Sequence, residues 1–116
     1  MFWLKLYPSH LLLQRMDYLK LLKELKDKIF HIHFKDIKLF NDKIDEYGVF
    51  TYLLSYMQPK ITGEGRIDWQ AFIEELKNND YQYYACVEVE DKDYEDSFLS
   101  RKKAIENSYN NLIKFF

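Results

Sequence analysis

The sequence predicts an α/β fold, a partial (β/α)8 barrel in which three strands alternate with three helices. Three short segments with strand-like patterning are each followed by a segment with helical periodicity. Strands that alternate with helices pair in parallel through right-handed crossovers. The second and third strands each have one apolar and one polar face, whereas strands of an open doubly wound sheet are apolar on both faces. A polar inner face is typical of a barrel whose active site lies at the carboxyl ends of the strands.

Size and composition predict a single globular domain over residues 1–116. Hydrophobic residues make up 47% and charged residues 31% of the chain, which excludes a disordered protein. The net charge of -2 gives no positive field for nucleic acid, and the apolar start of the chain is too short to cross a bilayer. The single cysteine, Cys86, cannot form an internal disulfide and fits a reducing compartment. We therefore expect a cytoplasmic protein that binds neither nucleic acid nor membranes.

The first half of the chain is expected to contain a strand, a helix and a second strand. The first strand covers Phe2–Tyr7, an apolar run that ends at Pro8. Apolar residues at i, i+3, i+4 and i+7 within Tyr18–Leu25 predict a helix with Asp17 as its N-cap. Alternating residues then predict a strand over Ile29–Phe34. The polar face of this strand continues into the next residue and holds His31, His33 and Lys35.

The second half begins with a long segment that shows no clear period, Asp36–Gly65. We expect it to be a loop whose tyrosines either pack on the scaffold or close over a ligand. Asp68 is expected to cap a helix with an apolar stripe over Trp69–Leu76. A third strand is expected over Tyr84–Glu90, followed by a helix whose apolar positions run over Ile105–Phe116. The polar face of the third strand holds Cys86, Glu88 and Glu90.

Two short motifs suggest a metal site. His31-x-His33 places two imidazoles on one strand face, and parallel pairing brings them near the third strand. Glu88-x-Glu90 does the same with two carboxylates. Mixed sets of this kind suit divalent manganese, cobalt, zinc or iron. Because both motifs are common, a structural alternative stays open: His31 as a hydrogen-bonded interior residue, and Glu90 and Asp91 as solvated charges at a strand end.

Three further features have both a functional and a structural interpretation. Gly63-Glu64-Gly65, before a capped helix, forms either a nest for an anion or, as we expect, a tight turn. Lys35 either contacts a phosphate or carboxylate of a ligand or has a structural role. Cys86 has no basic neighbour in the sequence, so we expect a small core residue and not a reactive thiol.

Five sequence elements occur in an order that resembles a known family. They are Pro8–Leu11, Asp17–Tyr18, Ile29–Asp36, Gly63–Gly65 with Ile67–Trp69, and Val87–Asp91. Together they resemble the carboxyl-terminal end of the sugar phosphate isomerases/epimerases of the xylose isomerase-like TIM barrel superfamily. The resemblance extends over essentially the whole chain, and it implies the last three units of the barrel, β6-α6-β7-α7-β8-α8.

The resemblance also implies a cofactor, a substrate class and residue roles. Family members hold a divalent metal, most often manganese with cobalt, magnesium or zinc as alternatives, on two glutamates, an aspartate and a histidine. By this resemblance His33 is a metal ligand, Glu88 is both metal ligand and catalytic acid/base, and His10 contacts the substrate. Lys35 is a further candidate substrate contact. The substrate is a small sugar or sugar phosphate, whose proton the glutamates move through a cis-enediolate.

The chain departs from the family pattern in two ways. The family reads Asp-Pro-Ser-His where this chain reads Tyr7-Pro8-Ser9-His10, and a neutral phenol is a poor replacement for a carboxylate ligand. The preceding strand, with the partner glutamate, is absent from the sequence. We therefore expect a weakly bound metal and a truncated or split isomerase/epimerase that is inactive without an amino-terminal barrel partner and tends to self-associate.

Three other functions are alternatives to this expectation. The first is a non-catalytic remnant or binding module on the same scaffold, which Tyr7 favours. The second is a dehydratase that acts on an inositol derivative. The third is an endonuclease IV-like nuclease, and the pI near 5.9 with no basic cluster counts against it. The sequence does not decide whether the chain is an enzyme.

Overall fold

The computed structural model describes residues 2–116 and contains a three-stranded parallel sheet with helices on one face, plus a small hairpin. The strands are β1 (Leu4–Leu6), β2 (Ile29–Phe34), β3 (Asp36–Leu39), β4 (Met57–Lys60) and β5 (Tyr84–Val87). The helices are α1 (Pro8–Leu13), α2 (Tyr18–Glu24), α3 (Asn41–Tyr47), α4 (Trp69–Asn78) and α5 (Phe98–Ile113). Short 3-10 helices cover Lys26–Lys28, Tyr52–Leu54 and Lys92–Tyr94. No helix within residues 2–116 has the length and apolarity needed to cross a bilayer.

The parallel sheet confirms the predicted alternation of strands and helices. Strand β2 lies between β1 and β5, and both pairings are parallel. Asp17 and Asp68 cap α2 and α4 as predicted: Asp17 accepts hydrogen bonds from two backbone N–H groups of the first turn, and Asp68 accepts one. The helices cover one face of β1 and β2, and the main core there consists of these buried residues: Leu6, Leu22, Ile29, Ile32, Phe34, Ile67, Trp69, Phe72, Ile73, Leu76 and Leu112.

The prediction of a loop over Asp36–Gly65 is wrong, because this segment folds into an antiparallel hairpin. Strand β3 pairs with β4, and α3 lies in the connection between them. The four residues of β3 are too few to show an alternating pattern, and Pro59 in β4 argues against a strand in sequence reasoning. Ile37, Leu39 and Tyr56 are buried in a second, smaller core at this hairpin.

The ends of several elements differ from the predicted ones. Strand β1 is shorter than Phe2–Tyr7, and β5 ends at Val87 although its backbone pairing continues through Glu88 N–H, which donates to Phe34 O at 3.1 Å. Helix α1 was not predicted. It begins at Pro8, whose fixed φ and missing N–H suit the first helical position.

The predicted apolar face of the last helix is also wrong, apart from Leu112. Ile105 and Tyr109 are more than half exposed, and α5 instead buries Ala104 and Ser108. The hydroxyl of Ser108 donates to Ala104 O at 2.7 Å, so a small polar residue is accommodated in this close contact. Periodicity pointed to the large residues, whereas the helix packs through its small ones.

A fully buried carboxylate, Asp36, joins the hairpin to the main core. Its Oδ1 accepts hydrogen bonds from the backbone N–H groups of Ile37 (2.9 Å) and Ile67 (3.0 Å). Its Oδ2 accepts from Gly63 N–H (3.0 Å) and from the indole N–H of Trp69 (2.7 Å). Four donors from three separate segments therefore meet at one side chain.

The turn interpretation of Gly63-Glu64-Gly65 is the one that the structure supports. Gly63 has a φ of +93°, and its N–H is already bound to Asp36. A Cβ at Gly65 would overlap Asp36 Oδ1, so the glycine permits the close approach of the carboxylate. The N–H of Gly63 is therefore bound to a side chain of the protein itself and does not face an external anion.

The interpretation of Asp91 as a solvated charge is wrong. Asp91 is 2% exposed, and Lys60 lies 2.9 Å from its Oδ2. Its carboxylate also accepts hydrogen bonds from the backbone N–H groups of Ile61 and Asp93, each at 3.0 Å. A buried charge is tolerated when it is paired and hydrogen-bonded. This ion pair fixes the segment after β5 to the end of the hairpin.

Candidate active site

The polar side chains predicted from the sequence lie together at the carboxyl ends of the three parallel strands. His33 is near the end of β2, Glu88 follows β5, and Tyr7 and His10 follow β1. Helices cover the opposite face of β1 and β2, so these side chains occupy the face that a barrel turns inward. On β5 the expected helix-facing residues, Ala85 and Val87, are exposed, which corrects the prediction of a covered apolar face there. The carboxyl end of a parallel barrel is where active sites of this architecture form.

Glu88 is the centre of this group. The Nδ1–H of His33 donates to Glu88 Oε2 at 2.6 Å, and the ammonium of Lys35 donates to Glu88 Oε1 at 3.0 Å. Lys35 also forms an ion pair with the more exposed Glu90. Because an ionised carboxylate only accepts, the contact assigns a proton to His33 Nδ1.

These contacts fix the charge states of two groups. Desolvation raises the pKa of Glu88, but the hydrogen bonds from His33 and Lys35 outweigh it and hold that pKa below its ordinary value. Desolvation lowers the pKa of Lys35, and its bonds to Glu90 and Glu88 outweigh this, so its pKa is raised. At neutral pH the site therefore contains an ionised glutamate beside an ammonium group.

The lowered pKa of Glu88 predicts a specific acid sensitivity. At pH values above its unfolded-state pKa of 4.5, the ionised carboxylate of Glu88 stabilises the folded chain. This stabilisation is lost as the pH falls through the lower folded-state pKa. We expect the urea midpoint of the native chain to fall more steeply than that of Glu88→Gln between about pH 6 and pH 3. Parallel curves for the two proteins would show that Glu88 is not held by His33 and Lys35.

Tyr7 lies against the two histidines of the site. Its ring stacks on His10 with 4.4 Å between ring centroids and an interplanar angle of 6°. Its ring also contacts His33, again with 4.4 Å between centroids. Partial burial lowers the pKa of His10, and the nearby Lys35 ammonium lowers it further. His10 is therefore neutral at pH 7 and can both donate and accept a hydrogen bond.

A cavity of about 300 Å³ opens beside this group, between α1 and the hairpin. Its polar lining includes Lys35, Glu90 and His10. Ser9 also lines it; this residue is 1% exposed, and its hydroxyl has no hydrogen-bond partner among the residues that the structure describes. Sequence reasoning did not find Ser9 as a site residue or the hairpin wall of the cavity, because the hairpin itself was not predicted. The sequence feature that could have indicated Ser9 is its place within the family-like element Pro8–Leu11.

His31 and Cys86 lie further along the same face, toward the amino ends of the strands. His31 Nε2 is 3.5 Å from Cys86 Sγ, and both side chains are partly buried. His31 is thus hydrogen-bonded as the structural alternative describes, but it is only partly buried. Cys86 is half-buried on the polar face, beside a histidine, and not in the apolar core as expected.

The arrangement of His33 and Glu88 fits a divalent metal as part of a ligand set. Imidazole nitrogen and carboxylate oxygen are suitable donors, and both belong to side chains at the same strand ends. The two donor atoms are 2.6 Å apart, whereas two ligands at right angles on one ion are about 3 Å apart. An ion bound to both atoms therefore requires His33 Nδ1 to lose its proton, the hydrogen bond to break and the contact to open by a few tenths of an ångström. Tyr7 lies beside His33 and supplies no anionic oxygen.

Comparison with known proteins identifies the family. The sequence pattern of the xylose isomerase-like TIM barrel family matches residues 3–115. An inosose dehydratase of Clostridium perfringens is 32% identical over 88 residues, and inosose dehydratases of Halalkalibacterium halodurans and Lactiplantibacillus plantarum are 33% and 28% identical over 87 and 84 residues. Each match covers 71% of this chain and 28% of the length of the relative. The chain belongs to the xylose isomerase-like TIM barrel family.

Proposed function

We propose that the chain takes part in proton transfer next to the carbonyl group of a small polyhydroxy ketone, assisted by a divalent metal. The observation that carries this proposal is the group of Glu88, His33 and Lys35 at the carboxyl ends of parallel strands. A sugar, a sugar phosphate and an inosose all contain a carbonyl beside a carbon that bears hydroxyl and hydrogen. Removal of that hydrogen as a proton is the step common to isomerisation, epimerisation and dehydration of such compounds.

Glu88 is proposed as the catalytic acid/base. Its lowered pKa keeps it ionised at neutral pH, and two donors hold its orientation. A divalent ion, with manganese the proposed species and cobalt, magnesium or zinc as alternatives, supplies Lewis-acid stabilisation of the developing oxyanion when bound. His33 and Glu88 are the proposed ligands from this chain.

His10 and Lys35 are proposed as substrate contacts. Both line the cavity of about 300 Å³, whose volume is at the lower end of those that bind small molecules. The neutral imidazole of His10 suits a hydroxyl, and the Lys35 ammonium suits an anionic group or the oxygen of a carbonyl. The unpartnered hydroxyl of Ser9 is a further group with which a polar ligand would pair.

The chain is proposed to supply the last three β–α units of a barrel whose other strands come from an amino-terminal portion or partner. Strands β1 and β5 both lie at edges of the described sheet, with no neighbour on their outer side. A closed barrel leaves no such edges, and open edges promote association. We therefore propose that the isolated chain self-associates and has no turnover by itself.

Two outcomes of the shared proton-transfer step remain as candidate reactions. The resemblance of the site motifs favours isomerisation or epimerisation of a sugar phosphate, in which the proton returns to the substrate. The names of the curated relatives favour dehydration of an inosose, in which a neighbouring hydroxyl leaves as water. A non-catalytic binding module is the third candidate, because Tyr7 packs where an anionic ligand is expected.

Deuterium exchange distinguishes these candidates. The chain is joined to the amino-terminal part of the Clostridium perfringens inosose dehydratase and incubated in D2O with manganese and either an inosose or a ketose phosphate. We expect deuterium in the substrate or product, and a loss of at least about 100-fold with Glu88→Gln. Exposed Glu74→Gln in α4 is the matched control and should retain full activity.

The products decide between the reactions. Loss of water from the inosose indicates a dehydratase, and deuterium incorporation without loss of water indicates an isomerase or epimerase. A folded fusion that shows no exchange, with Tyr7 or with Tyr7→Asp, would contradict an enzymatic role and leave the binding module. Turnover by the isolated 116-residue chain would contradict the proposal that other strands are required.

A further inference from the structure

A second group of donor atoms lies on the inner face of the sheet, one step below Glu88 toward the amino ends of the strands. It consists of His31 and His33 on β2 and Cys86 on β5, and parallel pairing places His33 directly opposite Cys86. One ligand atom from each side chain lies within 4.8 Å of the other two. His31 Nε2 and Cys86 Sγ are already 3.5 Å apart.

These separations are close to those of a tetrahedral zinc site. With Zn–S near 2.3 Å and Zn–N near 2.0–2.1 Å, the sulfur and nitrogen ligands of one ion are about 3.6 Å apart. The contact of His31 with Cys86 is close to this length. The remaining ligand atom, on His33, lies within 4.8 Å of the other two, so it has to approach by no more than about 1 Å, which a change in side-chain torsion angles can provide.

The group of His31, His33 and Cys86, here called the lower site, differs in its types of donor from the upper site formed by His33 and Glu88. A thiolate with two imidazoles is a soft to borderline set that favours zinc or cobalt over manganese or magnesium. A histidine with a carboxylate at His33 and Glu88 is a harder set. All three lower side chains are only partly buried, so an ion has access to them from the polar face of the chain.

We propose that His31, His33 and Cys86 form a thiolate-containing site for Zn²⁺ or Co²⁺, with a solvent molecule as the fourth ligand. On binding, the Cys86 thiol releases its proton to solvent and the sulfur bonds to the ion, with no change of oxidation state. Because His33 belongs to both donor sets, an ion in the lower site removes a ligand from the upper one. Zinc therefore competes with manganese binding at Glu88. The lower site itself does not depend on the proposed function.

Cobalt titration of the full chain, with a phosphine reductant to keep the thiol free, tests this site. We expect one equivalent of Co²⁺ to produce a thiolate-to-cobalt charge-transfer absorption in the near ultraviolet and the intense visible bands of a tetrahedral ion. Cys86→Ser should abolish the near-ultraviolet band, and His31→Ala should weaken Co²⁺ binding by at least about tenfold. Glu90→Gln, on the same strand face but outside the donor set, should leave both signals unchanged.

The absence of the charge-transfer band from the unaltered chain would overturn the proposal, whatever the variants do. A band that survives Cys86→Ser would also overturn it. Competition is measured separately: one equivalent of Zn²⁺ should weaken Mn²⁺ binding by at least about tenfold, and Cys86→Ser should remove this effect. Manganese binding that is insensitive to zinc would contradict the shared role of His33. Failure of the proposed proton transfer would leave the cobalt result unaffected.

Discussion

Replacing Asp36 by alanine is expected to lower the free energy of unfolding by about 4 kcal/mol or more. The carboxylate is fully buried and accepts four hydrogen bonds, from the N–H groups of Ile37, Gly63, Ile67 and Trp69. Alanine leaves these donors without a partner, and each unsatisfied buried donor costs about 1–3 kcal/mol, partly offset where water enters. The loss should appear as a lower urea midpoint by circular dichroism.

Two matched substitutions separate the hydrogen bonds from the volume of the side chain. Asp36→Asn keeps the shape of the side chain, but the new NH₂ group faces two N–H donors that it cannot accept from. We therefore expect it to lower the free energy of unfolding by about half as much as Asp36→Ala. Asp45→Ala, an exposed aspartate of α3, should change the free energy of unfolding by no more than about 0.5 kcal/mol. If Asp36→Ala and Asp45→Ala had equal effects, Asp36 would not join the hairpin to the core.

Local patterns explain why the main elements could be predicted. The caps at Asp17 and Asp68 and the strand over Ile29–Phe34 depend on a few neighbouring residues, and the structure confirms them. The burial alternates only from His31 onward, because Ile29 is buried where Phe30 was expected to be. The hairpin depends on pairing between β3 and β4, which are separated along the chain and individually short. Its stability comes from Asp36 and from a small core, which a pattern within one segment does not show.

Long-range contacts explain the other errors. Asp91 follows a strand and carries a charge, so its sequence context indicates solvent, yet Lys60 and Ile61 N–H approach it from the hairpin. The apolar residues of α5 that are exposed were predicted to pack, because helical periodicity shows which residues share a face but not which element contacts that face. In both cases the partner is about 30 residues away or on another element.

The candidate site was predicted in part because strand register is a simple consequence of parallel pairing. Two polar faces on β2 and β5 had to meet, and the structure brings His33, Lys35 and Glu88 into contact. The roles of these residues as ligands and acid/base come from the family resemblance and stay proposals. The contact of Cys86 with His31 needed the residue-by-residue register, which the sequence did not provide.

Tyr7→Asp is expected to tighten manganese binding by at least about tenfold, the second large effect that the structure predicts. The Tyr7 ring lies against His33, so a carboxylate at this position adds an anionic oxygen beside the His33 and Glu88 donors. Carboxylate oxygen suits manganese, whereas a neutral phenol does not replace it. The tighter manganese binding depends on this one substitution and can be measured without catalytic activity.

Calorimetric titration of Tyr7→Asp with Mn²⁺ tests the assignment of the upper site most directly. In this background His33→Ala and Glu88→Gln should each lose the gain, because both side chains are proposed ligands. His31→Ala and Glu90→Gln, the alternate histidine and glutamate of the same strand faces, should retain it to within about twofold. Equal losses at all four positions, or no gain from Tyr7→Asp, would contradict a metal site at His33 and Glu88.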